Sequence, residues 1–252
     1  MIGKLGKLPP KEDRRTLKLA TYIDRRKLPP PPERRAWSSV MHEPWGSMAN
    51  DQYGDCTVAA CGHLIQAWTA AAQGTPVTLS DEIILDTYAR ITGFDPRDPS
   101  TDQGAVVLDV LRYWRSVGIA GHKISAFASI DLRDARTMET AIDLFGGVYV
   151  GLALPKAIDG QDDIWVMPDE TVSQADAAPG SLGGHAVAVV DYSPQGLTCV
   201  TWGALQRMSW SWWQCFADEC FALISPDFVA GNRAPNGFAL GDLWADLRAV
   251  AT

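Results

Sequence analysis

The sequence predicts an α+β fold, helical in its first half and stranded in its second. Three observations lead there. Val58, Cys61, Ile65, Trp68 and Ala72 recur at helical spacing in a proline-free stretch that starts at Cys56. After Gly146-Gly147 the pattern changes to short apolar runs of β type, at 148–154 and 185–192. Helices then strands, without βα alternation or an internal repeat, is the α+β pattern.

Residues 1–36 read as a basic, Pro-rich arm, with Pro9-Pro10 and Pro29 to Pro32 favouring extended chain and a short helix expected between them, over 14–26. Residues 37–225 read as the globular domain. Turn-forming residues 50–55 precede a long buried helix over 56–72, which Gly74-Thr75-Pro76 ends. Ser80 caps a second helix over 81–92, with acidic residues in its first turn. A polar loop, 93–104, leads to helices over 105–117 and 136–145. Further strands are expected at 197–202 and 220–224. Residues 226–252 read as an extension carrying an amphipathic helix at 239–250.

The chain has 252 residues, 46% hydrophobic and 21% charged, which is a globular composition with length for a sizeable core. No apolar run reaches the roughly 18 residues of a membrane span. Residues 1–11 carry lysines but no apolar segment after them, so no signal peptide is read and a cytoplasmic location is expected. The five cysteines are odd in number and are expected as thiols. Cysteine spacing and scattered histidines give no zinc pattern, and no cofactor is expected. Asp95, Asp98 and Asp102 share a loop but lack the glycine and terminal glutamate of a calcium hand, so a solvated loop is expected. Residues 1–36 carry a net charge of +7, the remainder −15. That asymmetry favours an arm lying on its own acidic domain over nucleic-acid binding, since the arm lacks stacking aromatics.

Cys56 stands at a helix start directly after a glycine-containing turn. Unpaired N–H groups and the helix dipole favour a thiolate there. His185 follows Gly183-Gly184 and opens an apolar strand, where its ring is approachable. The pair is separated by 129 residues, close to the interval of 130–150 that papain-type nucleophile and base show.

Residues 28–225 resemble the papain superfamily of cysteine peptidases in six segments, in order. Residues 28–37 (LPPPPERRAW) resemble the entry strand. Residues 50–60 (NDQYGDCTVAA) resemble the nucleophile segment. Residues 102–105 (DQGA) and 108–119 resemble the glycine-led helix. Residues 141–152 (AIDLFGGVYVGL) resemble the helix–strand unit. Residues 184–187 (GHAV) resemble the histidine strand, and 201–203 (TWG) with 210–221 resemble the tryptophan-rich strand pair. The resemblance implies a helical half, with the nucleophile helix packed on an antiparallel sheet or barrel.

The resemblance further implies Cys56 as nucleophile and His185 as general base. Gly183, Gly184 and Trp202 would line the substrate cleft. The amide that supports the oxyanion is Asn50, at the family's spacing, or Gln52, with the family's side-chain length. The family's orienting asparagine is replaced by Thr201, whose hydroxyl can accept from the imidazole but is short and uncharged. Asp55 beside Cys56 would raise the thiol by like-charge repulsion. The expected activity is a cysteine-dependent hydrolase, a peptidase or amidase or an acyl transferase working through an acyl-enzyme on a peptide or protein. The alternative is a catalytically weak binding or structural protein on that scaffold. Neither a nucleic acid nor a membrane is expected as a partner, and oligomeric state is left open.

Overall fold

The computed structural model describes residues 2–24, 28 and 30–228. The helix expected at 239–250 lies outside them. In chain order the elements are β1 (Arg35–Ala36), α1 (Cys56–Gln73), α2 (Asp81–Thr92), α3 (Val107–Ser116), β2 (Ala126–Ser129), α4 (Ala135–Phe145), β3 (Val148–Leu154), β4 (Ile164–Trp165), α5 (Gln174–Ala177), β5 (Gly183–Ser193), β6 (Gly196–Thr201), β7 (Ala204–Ser209), α6 (Trp210–Phe216) and β8 (Ala217–Ile224), with short 3-10 turns between some of them.

The α+β expectation holds. The strands make one open sheet ordered β2-β8-β3-β5-β6-β7-β4, with β1 pairing β5. It does not close into a barrel. All pairings are antiparallel except β4 with β7. The alternating residues of β3 and β5 divide two cores. Tyr149, Ala186, Ala188 and Val190 face α1, α2 and α3, whereas Val148, Val150, Val187 and Val189 pack with residues of α4 and α6. Burial on both faces explains why these strands read as continuous apolar runs.

α1 carries the first core. Fifteen of its residues, Cys56 through Ala70, are buried. Trp68 stacks on Trp114 of α3 and donates its indole N–H to the Phe145 carbonyl at 2.8 Å. Gly74 ends the helix in the left-handed conformation, φ 73°.

Two local expectations fail. Over 14–26 the described chain forms only a 3-10 turn at Leu19–Thr21. Leu17 is used instead to accept from Ser129 N at 2.7 Å, and Lys18 bridges the same residue, so β2 claims the segment. The tryptophan-rich run after 209 is helical, not stranded. Ser209 accepts from Trp212 N and starts α6, which buries Trp212 and Trp213. The strand in that region is β7, which ends where the tryptophans begin.

Trp68→Ala is expected to cost about 3–5 kcal/mol of unfolding free energy, because the cavity opens between α1, α3 and α4. Chemical denaturation of wild type and variant checks this.

Candidate active site

The turn before α1 is clamped from three sides. Met48 and Ala49 adopt left-handed φ of 53° and 67°, and Ala49 O accepts from Gln52 N and Tyr53 N. Asp102 accepts from Gly54 N at 2.9 Å and from the Tyr88 hydroxyl at 2.8 Å. Tyr88 in turn accepts from Gly104 N, also at 2.8 Å. From the sheet, Tyr149 donates to Thr57 O at 2.6 Å. These contacts fix Cys56 at the head of α1, buried, with its sulfur facing the N–H groups of Ala186 and Gly6.

His185 lies one residue before Ala186 on β5. Its Nε2 is 2.7 Å from Thr201 Oγ1. The opposite nitrogen, Nδ1, is buried without a hydrogen-bond partner. With Nε2–H donating to the threonine, Nδ1 carries the lone pair. Trp202 stacks on the ring at 4.6 Å and 24°. It can do so because Trp202 and Gly203 both take positive φ, 47° and 81°, in the two-residue turn joining β6 to β7. A tryptophan in that conformation is strained by about 1–2 kcal/mol, which places the strain at the site itself.

The remaining wall of the site is the chain's own arm. Residues 3–8 cross the site, held by backbone hydrogen bonds on both sides. Lys4 N donates to Asn50 O at 2.8 Å, and Lys7 N to Gly184 O at 3.1 Å. Gly6 O accepts from Ala105 N at 2.7 Å, and Leu8 N donates to Ala105 O at 2.9 Å. The Lys4 carbonyl receives both Asn50 Nδ2 and Trp202 Nε1 at 3.2 Å. The fit requires glycine. A Cβ on Gly6 would lie 1.7 Å from Gly54 O, and one on Gly184 would lie 2.1 Å from Lys7 O.

Burial under the arm sets the electrostatics. It pushes the Cys56 thiol up to about 12, with Asp55 adding to the shift, while the N–H groups of Ala186 and Gly6 and the charge of Lys7 pull the other way. Burial lowers His185 to about 3, helped by His63. Thiol and imidazole are therefore both neutral beneath the arm. Asp55 is itself lifted by burial to about 8, against the nearby Asn50 amide. It is largely protonated at neutral pH, so its repulsion of a thiolate is smaller than the sequence suggests.

No protein-family model matches the chain, and no curated protein matches it. Solved structures do. Xylellain, a cysteine protease from Xylella fastidiosa, superposes with a TM-score of 0.66 at 14% identity, over 88% of this chain and 96% of that one. The chain has the papain-like fold. A cysteine protease of Carica candamarcensis in complex with E-64 gives 0.53 at 15% identity, over 77% of this chain and 98% of that one. Digestive procathepsin L 3 of Tenebrio molitor gives 0.54 at 13%, over 88% and 75%.

Within this papain-like fold, Asn50, Gly183, Gly184 and Trp202 meet residues 3–8, Cys56 lies against Gly6, and His185 and Thr201 are joined by their hydrogen bond. Gln52 is exposed and bonds Asp51. Asp191, six residues after His185, accepts from Ser38 N and Oγ beyond a bulge in the β5–β6 pairing. Sequence reasoning missed Asp102, Tyr88 and Tyr149, which hold the nucleophile turn. Asp102 stood out as one of three loop carboxylates and as the head of the 102–105 segment, not as a support for the turn. The other two are used locally, Asp95 by Arg97 and Asp98 as the cap of a 3-10 turn. The described residues contain no group of three metal-ligating side chains, and no described helix is long and apolar enough to cross a membrane.

Asp55 makes a pH prediction. Between 3.8 and about 8 the folded chain keeps a proton on Asp55 that the unfolded chain has released. The folded state binds more protons, so stability falls as pH rises across that interval, by about 1.4 kcal/mol per unit. Glu219, lifted to about 7, acts in the same direction. His63 and His185 are lowered to about 4 and about 3 and act oppositely, but only up to their ordinary 6.5. Asp55→Asn should raise Tm at pH 8, with the gain shrinking towards pH 4. Thermal melts of both proteins across that range check it.

Proposed function

We propose that the protein is a cysteine-dependent hydrolase of peptide bonds whose cleft is closed by its own residues 3–8. The observation that carries this reading is the arrangement beneath the arm. A thiol at a helix head meets the histidine strand at Ala186 N–H, and that histidine bonds Thr201 through Nε2 with Nδ1 unpartnered. Above it residues 4–8 run hydrogen-bonded through their backbone to Asn50, Ala105 and Gly184.

In this reading the arm withdraws and a substrate strand replaces it. Water and the open cleft relieve the burial that keeps Cys56 and His185 neutral. The thiol proton passes to His185 Nδ1, and the sulfur attacks the carbonyl carbon. The oxyanion is met by the Cys56 backbone N–H at the head of α1 and by Asn50 Nδ2, which already donates to a carbonyl of the arm. The imidazolium gives its proton to the leaving amine, leaving a thioester. His185 then activates water to release the acid. An amine in place of water would give acyl transfer by the same steps. Thr201 is a positioning residue that holds the Nε2–H tautomer.

The arm turns the Gly6 N–H, a donor, towards the sulfur. A second reading, a binding protein without efficient catalysis, is favoured by the neutral state of the buried pair and by the uncharged Thr201.

Unseating the arm separates the two. Gly6→Ala places a methyl against the Gly54 backbone. Alkylation of Cys56 by iodoacetamide at pH 7 should accelerate by about tenfold or more, as an opening equilibrium is shifted, while the exposed Cys215 labels unchanged. A Cys56 that stays as slow as the buried Cys199 in this variant would sink the hydrolase reading. In the same background, Thr201→Ala should lower kcat roughly tenfold or more with little change in KM. Thr201→Ser should restore it.

A further inference from the structure

Lys7 is buried. Its side chain is 1% exposed, yet it enters a pocket rather than solvent. The ammonium lies 2.8 Å from Asp218 Oδ2 and 3.4 Å from Glu219 Oε1, and it also donates to Leu8 O at 3.2 Å. The floor is Gly151 of β3, where an added Cβ would stand 2.2 Å from Lys7 Cε.

The pocket is a product of a strand irregularity. Consecutive residues of a regular strand point to opposite faces. Here the β3–β8 register shifts, with Gly151 opposite Glu219 but Leu152 opposite Ala217, so Asp218 is the extra residue. The bulge re-aims it, and both carboxylates reach the same cavity. Two like charges set side by side in a half-buried pocket are repulsive unless a cation joins them.

Lysine does not use all the pocket offers. Asp218 Oδ1 is buried without a hydrogen bond, and Glu219 Oε1 has only the 3.4 Å ion contact with Lys7. A guanidinium carries five N–H donors in a planar fork and can reach more than one carboxylate oxygen.

We propose that Asp218, Glu219 and the Gly151 floor form a subsite that selects a lysine or arginine side chain of the bound peptide, and that Lys7 is the arm's own occupant of it. The inference rests on the cleft being a peptide-binding site, and it names the substrate class: peptides with a basic residue at one fixed place along the cleft. Gly151 keeps the floor low enough for a long side chain, and the acidic pair rejects glutamate at the same position.

The test uses the full chain with Gly6→Val and Lys7→Met, which empty the cleft, and Cys56→Ala, which removes chemistry. Fluorescent peptides spanning residues 2–9 carry lysine, arginine, norleucine or glutamate at position 7, and binding is read by anisotropy. The lysine and arginine peptides should bind about tenfold or more tighter than norleucine, within the range of buried charge pairs. Adding Asp218→Asn and Glu219→Gln should level the series, with Tm checked to show that the fold survives. Equal affinities, or no binding by any peptide, overturn the subsite. Hydrolysis by the Cys56-containing version is scored separately on a peptide mixture. Basic selectivity in binding without cleavage leaves the subsite standing and the hydrolase reading fallen. Cleavage with no basic preference and level binding does the reverse.

Discussion

The site depends on one interaction, the backbone pairing of residues 3–8 with both walls of the cleft. Asn50, Ala105 and Gly184 bind the strand from opposite sides, and Gly6 lets it descend to Gly54. With that segment in place, Cys56 and His185 are buried, and burial raises the thiol and lowers the imidazole.

The fold supports this with unequal rigidity. α1 is locked into the first core, and Tyr149 and Asp102 pin its entry from the sheet and from the loop before α3. β5 carries the histidine through the centre of the sheet, between β3 and β6. The arm is held differently, by backbone hydrogen bonds, by the Asn50 and Trp202 side chains on the Lys4 carbonyl, and by the Lys7 ion pair.

Much of this was legible in the sequence, and the limits have physical reasons. Helical spacing located α1 because its burial is broad, and the apolar runs located β3 and β5 because both their faces are covered. Cys56, His185 and Thr201 could be placed by order and interval, since a helix head and adjacent strands fix those positions. β7 and α6 were not legible, because a capping serine decided against the strand that the tryptophans suggested. Asn50 is buried and Gln52 exposed, a difference that spacing does not encode. The arm's charge of +7 was visible, but its course was not. That course rests on Gly6 meeting Gly54 across 48 residues of chain, and the pocket for Lys7 rests on a bulge that no periodicity reveals.

Residue-resolved hydrogen exchange measures the arm's pairing most directly. The account predicts that the amides of Lys4, Lys7, Leu8 and Ala105 are protected in the intact chain, and that Gly6→Ala removes their protection while the amides of β3 and β5 keep theirs. Exchange of Lys4, Lys7 and Leu8 at unstructured rates in the unmodified chain would contradict it.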